Sequence, residues 1–168
     1  MPTSDILQIL LSHDEWATQQ ILDACSKLTA EQFHQRFDMG PGSLHDTTAH
    51  IMGAMQAWTQ TLAGQGRNVQ NRIDQDGQKR TPQQLIAVLP TVAAELAGEA
   101  RRRPLDEMVT RERDGKVFQF TRAAVLTHVT THGMHHRAQC LNMLKQLGVK
   151  PLPPSSVTEW TRLADAGH

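Results

Sequence analysis

The sequence predicts an all-α protein in which four helices form a bundle, a small hairpin lies between the third and fourth helices, and a short helix follows them. Aromatic residues make up only 4% of the chain and tyrosine is absent, so the core is expected to consist of Leu, Ile, Val, Ala and Met. Scarcity of aromatic and β-branched residues favours helices over a sheet. Apolar residues recur at helical spacing in four stretches, each with helix start and stop signals. A length of 168 residues suits one core, so a single domain is expected over residues 1–168.

The first two predicted helices follow capping residues. Ser4 can cap a first helix that ends near Leu28. A Gly/Pro break at 40–42 precedes Ser43, which opens the second helix. The polar segment 63–80 that follows is long for a connection within a bundle, which indicates a loop that is either functional or mobile.

A third helix and a hairpin come next. Thr81-Pro82-Gln83-Gln84 is a capping box with proline at the first helical position, and it predicts a third helix. Pro90 should kink this helix, and Pro104 should stop the chain from continuing it. Residues 108–120 alternate loosely around Asp114-Gly115, a pair that supports a type I′ turn, so a small hairpin is expected there.

The fourth predicted helix is the longest. It begins at Thr121 and runs to Gly148, a glycine typical of a helix carboxyl end. Ser156-Val157-Thr158-Glu159 is a further capping box, which predicts a short last helix.

Charge and cysteine content narrow the possible partners. Lys+Arg and Asp+Glu number 17 each, so no net field would draw the chain to nucleic acid or to an anionic membrane. Residues 1–5 show no basic leader segment, and the apolar stretch 85–96 is too short to span a bilayer, so a cytoplasmic protein is expected. Cys25 and Cys140 form no Cys-x-x-Cys pair, which favours two buried thiols over a disulfide or thiolate zinc site.

Histidines supply the most informative pattern of the sequence. The chain has nine of them, and four lie within nine residues of the fourth predicted helix: His128, His132, His135 and His136. Histidines at i and i+4 project from one helix face about 40° apart, so both imidazoles can reach one ion. Both His128/His132 and His132/His136 have this spacing.

The apolar pattern of the same helix selects one pair. With about 100° per residue and His132 at zero, five apolar residues fall at roughly +20° to +80°: Val125, Val129, Cys140, Met143 and Leu147. His132 and His136 lie within or beside that arc, whereas His128 and His135 lie toward its flank. Two buried imidazoles at this spacing are difficult to satisfy without a shared ligand, because each ring has two nitrogens that need partners.

A third ligand could come from the second helix, which offers His45 and His50. Both lie on the flanks of the apolar stripe, and periodicity does not separate them. His50 has Ala54 and Ala57 nearby, whose small side chains leave room for an ion.

Two further residues next to the histidine pair receive predicted roles. Gln139, at about −20° on the same wheel, is expected to make a polar contact with a metal ligand or with substrate. Arg137 points away from this face and is expected at the surface or in a dimer contact. The chain lacks the motifs of di-iron bundles, zincins, serine hydrolases, phosphate-binding loops and haem attachment, so metal binding by histidines is the only chemistry that the sequence supports.

Two segments resemble the DinB family of metal-binding helical bundles. They are 43–51, with Trp58 downstream, and 131–139. Residues 13–17 are similar to the Asn-Trp-Ala motif of the family's first helix, with His13 where asparagine is common. The helix order is similar over nearly the whole chain, although Ala138 stands where the family usually has glycine.

The resemblance implies a four-helix core, often dimeric, and a metal held by His50, His132 and His136. Such an all-nitrogen set fits one divalent transition metal, zinc or nickel first and iron as a third candidate, with a bound water completing the coordination. The resemblance further implies a metal-dependent enzyme that acts on a small molecule, either hydrolase-like or a transferase or isomerase that uses a low-molecular-weight thiol. The contrasting hypothesis is a non-catalytic metal-binding homodimer acting in stress response.

Overall fold

The computed structural model describes residues 4–165, with side chains through residue 163. Residues 1–3 and 166–168 lie outside this range, and so do the parts of the leader and domain predictions that fall on them. The described elements are α1 (Ile6–Cys25), α2 (Ala30–His34), α3 (Leu44–Leu62), α4 (Pro82–Arg101), β1 (Met108–Arg113), β2 (Lys116–Thr121), α5 (Arg122–Gln146) and α6 (Val157–Asp165). The four long predicted helices correspond to α1, α3, α4 and α5.

Capping residues begin the long helices largely where the sequence predicts. The hydroxyls of Ser43 and Thr121 accept hydrogen bonds from the third backbone N–H of α3 and α5, and Thr81 forms a full capping box with Gln84. In α1 the prediction of Ser4 as the cap is wrong. Asp5 occupies that position, because its carboxylate accepts from the N–H groups of the first helical turn.

The predicted hairpin is confirmed as a two-stranded antiparallel sheet, with Arg111 opposite Phe118 and Arg113 opposite Lys116. Asp114 and Gly115 have φ values of 53° and 71°, the left-handed conformations that a type I′ turn requires. The class all-α is therefore too narrow, since the fold is mostly helical with a small sheet. The five residues of α2 were also missed, because so short a helix leaves no periodicity; its one local signal is the capping box of Thr29 and Gln32.

The long helices pack around a shared apolar core. α3 contacts α4 and α5, and α1 contacts the same two helices. The core is built from aliphatic side chains and methionines of all four helices, among them Leu22, Met52, Leu89 and Met143. Cys25 and Cys140 are free thiols buried in this core, as the sequence predicts. None of the described helices is long and apolar enough to cross a membrane.

Arg122 joins the end of α3, the end of α4 and the start of α5. It is fully buried, and its guanidinium donates hydrogen bonds to the carbonyl oxygens of Leu62, at 2.8 Å, and of Glu99. These carbonyls lie at the negative ends of two helix dipoles, which stabilise the buried cation. The contact sets the end of α3 beside the start of α5, so the two helices run in opposite directions.

Candidate metal centre

α3 and α5 bring His50, His132 and His136 together. One nitrogen from each ring lies within 4.8 Å of the others. The ring of His50 lies 5.0 Å from that of His132 and 4.7 Å from that of His136, between centroids. Successive turns of α5 supply the pair, and the neighbouring helix supplies the third ring.

The spacing of the ring nitrogens fits a transition-metal site. Nε2 of His132 and Nε2 of His136 lie 3.1 Å apart. Two nitrogens bound at about 2.0–2.1 Å to one tetrahedral zinc ion lie roughly 3.3 Å apart. The three rings could therefore hold one ion with little movement of α5.

Gln139 orients His136. Its Oε1 accepts a hydrogen bond from Nδ1 of His136 at 2.8 Å, and its Nε2 lies 3.1 Å from Nε2 of His135. Because the amide oxygen only accepts, the proton of His136 is held on Nδ1. The lone pair on Nε2 of His136 is consequently directed toward His132.

Asp74 orients His50 in a similar way. Its carboxylate accepts from Nδ1 of His50 at 3.2 Å and from Nε of Arg72 at 2.9 Å. Burial alone would raise the pKa of Asp74, but the hydrogen bonds from His50 and Arg72 outweigh burial and lower it. A charged carboxylate therefore holds the proton of His50 on Nδ1 and leaves Nε2 free for an ion.

The loop between α3 and α4 positions Asp74. Two hydrogen bonds join the side chain of Gln60 to the backbone of Gln70, and the amide of Gln56 accepts from the N–H of Ile73 at 2.8 Å. Ile73 itself is buried. Gly53 lets the loop approach, because a Cβ there would collide with the carboxylate of Asp74. The sequence marked 63–80 as functional or mobile but gave no signal for the pairing of Asp74 with His50.

His45, the alternative third ligand, is engaged elsewhere. Its Nδ1 lies 2.8 Å from Oδ1 of Asp46, and its Nε2 accepts from the N–H of Arg80 at 3.0 Å. With both ring nitrogens occupied, His45 anchors the carboxyl end of the loop that carries Asp74. The structure thus brings His50, and not His45, to the pair on α5.

Burial keeps the paired imidazoles of α5 neutral. Burial, together with the neighbouring His136 and His50, lowers the pKa of His132 to about 4. Burial also lowers the pKa of His136, although the hydrogen bond with Gln139 acts in the opposite direction. Neutral rings with available lone pairs are what metal binding requires.

Comparison with known proteins identifies the family of this chain. The model of the DinB family matches residues 1–161 of the chain. The chain belongs to the DinB family. It is 22% identical over 159 residues to protein DinB of Bacillus subtilis (strain 168), an alignment that covers 89% of this chain and 91% of that protein.

Solved structures of DinB-like proteins share the fold. One from Bacillus cereus ATCC 10987 has a TM-score of 0.65 and 16% identity, covering 86% of this chain and 92% of its own. Another, from Bacillus subtilis, has a TM-score of 0.60 and 16% identity, covering 88% of this chain and 97% of its own. At such low identity the likeness shows the fold alone.

In this DinB chain, Arg137 does not lie at the surface, so the prediction for it is wrong. Its side chain is 4% exposed and forms an ion pair with Asp14 of α1, whose side chain is 2% exposed. Gly133, one turn earlier on α5, makes room for that pair, because a Cβ there would collide with Asp14. The helical wheel correctly predicted that Arg137 points away from the histidines. It could not show that α1 covers that side of α5.

The other motif positions of the DinB chain lie outside the cluster. His128 and His135 are exposed, as the wheel indicates for flanking positions. Nε2 of His13 lies 2.9 Å from the carbonyl oxygen of Ser155, and the ring contacts Trp160, so this residue joins α1 to the carboxyl-terminal segment. Ala138 is exposed.

A cavity of about 950 Å³ opens onto the histidine cluster. His50 and His132 form part of its wall, and α3, α5, the hairpin and the loop before α4 form the rest. Its volume falls at the upper end of the range typical of small-molecule sites. Ala54 and Ala57, the small residues noted in the sequence, line it and provide the space.

Proposed function

We propose that this chain is a metal-dependent enzyme in which His50, His132 and His136 hold one divalent transition-metal ion. The observation that carries the proposal is the convergence of three imidazoles, two of them oriented by acceptors on their remote nitrogens. An all-imidazole donor set suits zinc or nickel, with iron as a third candidate. When bound, such an ion supplies Lewis acidity and lowers the pKa of a coordinated water or thiol.

The protein's own residues give the site its direction. Asp74 and Gln139 hold the protons of His50 and His136 on Nδ1, so that the Nε2 lone pairs face inward. The adjoining cavity gives a small molecule access to His50 and His132, and this access favours an enzyme over the non-catalytic alternative. The reaction that we propose is hydrolase-like, or a transfer or isomerisation that uses a low-molecular-weight thiol.

The wider setting of the chain is part of the proposal. We infer that α1, α3, α4 and α5 form a four-helix bundle. We also infer that two copies associate as a homodimer; this inference is supported by the exposed apolar side chain of Met134, which is 60% exposed on the outer side of α5. We infer that the chain binds neither nucleic acid nor a membrane, because its 17 basic and 17 acidic residues leave no net charge to attract it to either. We infer that the protein is located in the cytoplasm, because its two cysteines are free thiols and the cytoplasm is a reducing compartment.

Metal titration of two histidine variants tests the ligand set. His50→Ala removes one of three imidazoles and should abolish tight binding of zinc. His45→Ala is the matched control, since it removes a histidine of the same helix whose ring nitrogens bond to Asp46 and Arg80 and not to the cluster. It should still bind one equivalent. Tight binding by His50→Ala together with loss in His45→Ala would refute the assignment of the third ligand.

Turnover separates the enzyme from a binding protein. Metal-loaded protein should convert members of a panel that combines low-molecular-weight thiols, or water alone, with electrophilic substrates. His132→Ala should lose this activity, while His128→Ala, on the exposed flank of the same helix, should keep folding and metal content. Full metal loading without turnover across the panel would instead support the non-catalytic metal-binding homodimer.

A further inference from the structure

The hairpin forms one wall of the cavity that opens onto the histidine cluster. Arg111 of β1 is paired with Phe118 of β2. Because side chains alternate along a strand, Arg113 shares the face of Arg111, and Phe120 shares the face of Phe118. All four residues line the cavity. The hairpin therefore presents arginines and aromatic rings side by side to the space next to the histidine cluster.

Aromatic residues are concentrated in the lining of this cavity. The chain has three tryptophans and four phenylalanines, and Trp58, Phe118 and Phe120 line the cavity. The rings of Trp58 and Phe120 meet edge to face at 6.1 Å, and those of Phe118 and Phe120 stack at 6.3 Å. Phe118 is nevertheless 42% exposed. An exposed, ordered aromatic surface of this kind is suited to a flat apolar ligand.

Arg111 is a partly buried cation without a counter-ion. Its Nη1 donates to the hydroxyl of Thr61 at 2.9 Å, and its guanidinium lies 4.3 Å from the ring centre of Trp58. Within residues 4–165, no carboxylate pairs with it, and no acceptor contacts its Nε or Nη2. Burial lowers the pKa of Arg111, and the nearby charges of Arg72 and Arg113 lower it further.

The other charges of the cavity do not compensate Arg111. Asp74 is the acidic residue of the wall, and it is already bound to Arg72 and His50. Arg113 has only a 3.5 Å contact with Asp114, and both side chains are almost fully exposed. The cavity is thus positively charged even before an ion is considered. The Nε and Nη2 edge of Arg111 has the geometry that binds a carboxylate with two hydrogen bonds.

The distance from the histidines to the hairpin end of the cavity is comparable to the length of a small organic acid. His50 and Trp58 are eight residues apart on α3, which corresponds to about 12 Å. His132 and Ala124 are equally separated along α5 and also line the cavity. A ligand held at the hairpin could therefore extend one further group to the histidines.

We propose, on the basis of the proposed function, that the substrate is a small carboxylate with an aromatic or similarly flat apolar body. Its carboxylate binds Arg111, its body lies against Trp58 and Phe118, and its reacting end reaches His50 and His132. Arg111 and Phe118 are then specificity-determining residues, and they act at opposite parts of the ligand.

Calorimetric titration with two matched compounds tests this proposal. The probes are 4-phenylbutanoate and its neutral amide, 4-phenylbutanamide, added to metal-free and to zinc-loaded protein. In both forms the acid should bind at least about tenfold more tightly than the amide, because a charge-assisted bidentate contact is lost in the amide. Equal affinity for the two compounds, or binding of neither, would overturn the proposal.

Variants distinguish the two contacts. Arg111→Gln should remove the preference for the acid, whereas Phe118→Ala, at an exposed strand position, should weaken acid and amide alike by about three- to tenfold. Arg103→Gln, a control at an exposed arginine that pairs with Glu107 and does not line the cavity, should change neither. Should Arg111→Gln fail to fold, the ratio of acid affinity to amide affinity is compared in the unmodified chain and in Phe118→Ala. A preference for the acid in both supports the proposal, and equal affinities contradict it.

The metal-free arm separates this inference from the proposed function. A chain that binds no metal but still prefers the acid through Arg111 would refute the metal site and support the carboxylate site. A preference seen only with zinc and unchanged in Arg111→Gln would mean that the carboxylate binds the ion. That result would overturn the inference and leave the metal site intact.

Discussion

Asp74 and Gln139 determine what their histidines can offer to an ion. An imidazole that donates from Nδ1 has its lone pair on Nε2, and the acceptor on the far side fixes both the tautomer and the ring plane. Asp74 adds a full negative charge, stabilised by Arg72, while Gln139 adds only a dipole. The electrostatic support for a cation is therefore greatest at His50.

Replacement of that charge has a defined consequence. Asp74→Asn keeps the shape of the side chain but removes its charge, so zinc affinity should fall by about 10- to 100-fold with the stoichiometry unchanged. Asp76→Asn is the matched control, because Asp76 lies on the same loop and pairs with Arg80 rather than with a histidine. Competition with a chromogenic chelator measures both. Unaltered zinc affinity in Asp74→Asn would show that His50 does not depend on this carboxylate.

Two faces of α5 contact different helices. His132 and His136 face α3, whereas Gly133 and Arg137 face α1, where Arg137 pairs with Asp14. The ion pair and the close approach at Gly133 fix the rotation of α5 about its own axis. The direction of both histidines follows from that rotation, so the buried ion pair supports the site from the opposite side of the helix.

Arg137→Met should destabilise the fold in a pH-dependent way. It leaves Asp14 buried without its partner, so the free energy of unfolding at pH 7 should fall by about 3–5 kcal/mol. Arg103→Met, which breaks an exposed pair with Glu107, should cost less than about 1 kcal/mol. Denaturant titrations measure both variants.

The sign of the pH effect follows from Asp14. Burial raises its pKa above the ordinary value of 3.8, and Arg137 opposes that rise. Without Arg137 the folded pKa rises further, and stability is lost as pH increases from 3.8 through that raised pKa, because only the unfolded chain then releases the proton freely. The deficit of Arg137→Met should therefore be smaller at pH 5 than at pH 7. A deficit that grows on acidification would contradict this role for Asp14.

Local signals predicted most elements, and non-local contacts account for what was missed. Capping residues and the Asp114-Gly115 turn act within a few residues, so they are visible in the sequence. On α5 five apolar residues form one arc of the helical wheel, and this arc separates the inward histidines from the flanking ones. On α3 both faces are largely buried, and His45 is even more buried than His50, so neither periodicity nor burial could choose between them. Asp74 and Arg137 depend on contacts with distant segments, which one sequence does not reveal.

In the whole molecule, the residues of the candidate site come from a rigid helical frame and from two segments attached to it. The long helices supply the three histidines, and the core beneath them prevents independent movement of α3 and α5. The loop before α4 supplies Asp74, and the hairpin closes the cavity with Arg111 and the aromatic rings. Membership of the DinB family establishes the frame, whereas the proposed chemistry depends on the residues that these two segments bring to it.

Metal content of the purified protein tests the central claim most directly. The protein should be prepared without an immobilised-metal column and measured by elemental analysis, before and after titration with zinc and nickel. We predict close to one equivalent of a divalent transition metal per chain, present on purification or taken up on titration. Less than about a tenth of an equivalent after titration with either metal would contradict the proposed three-histidine site.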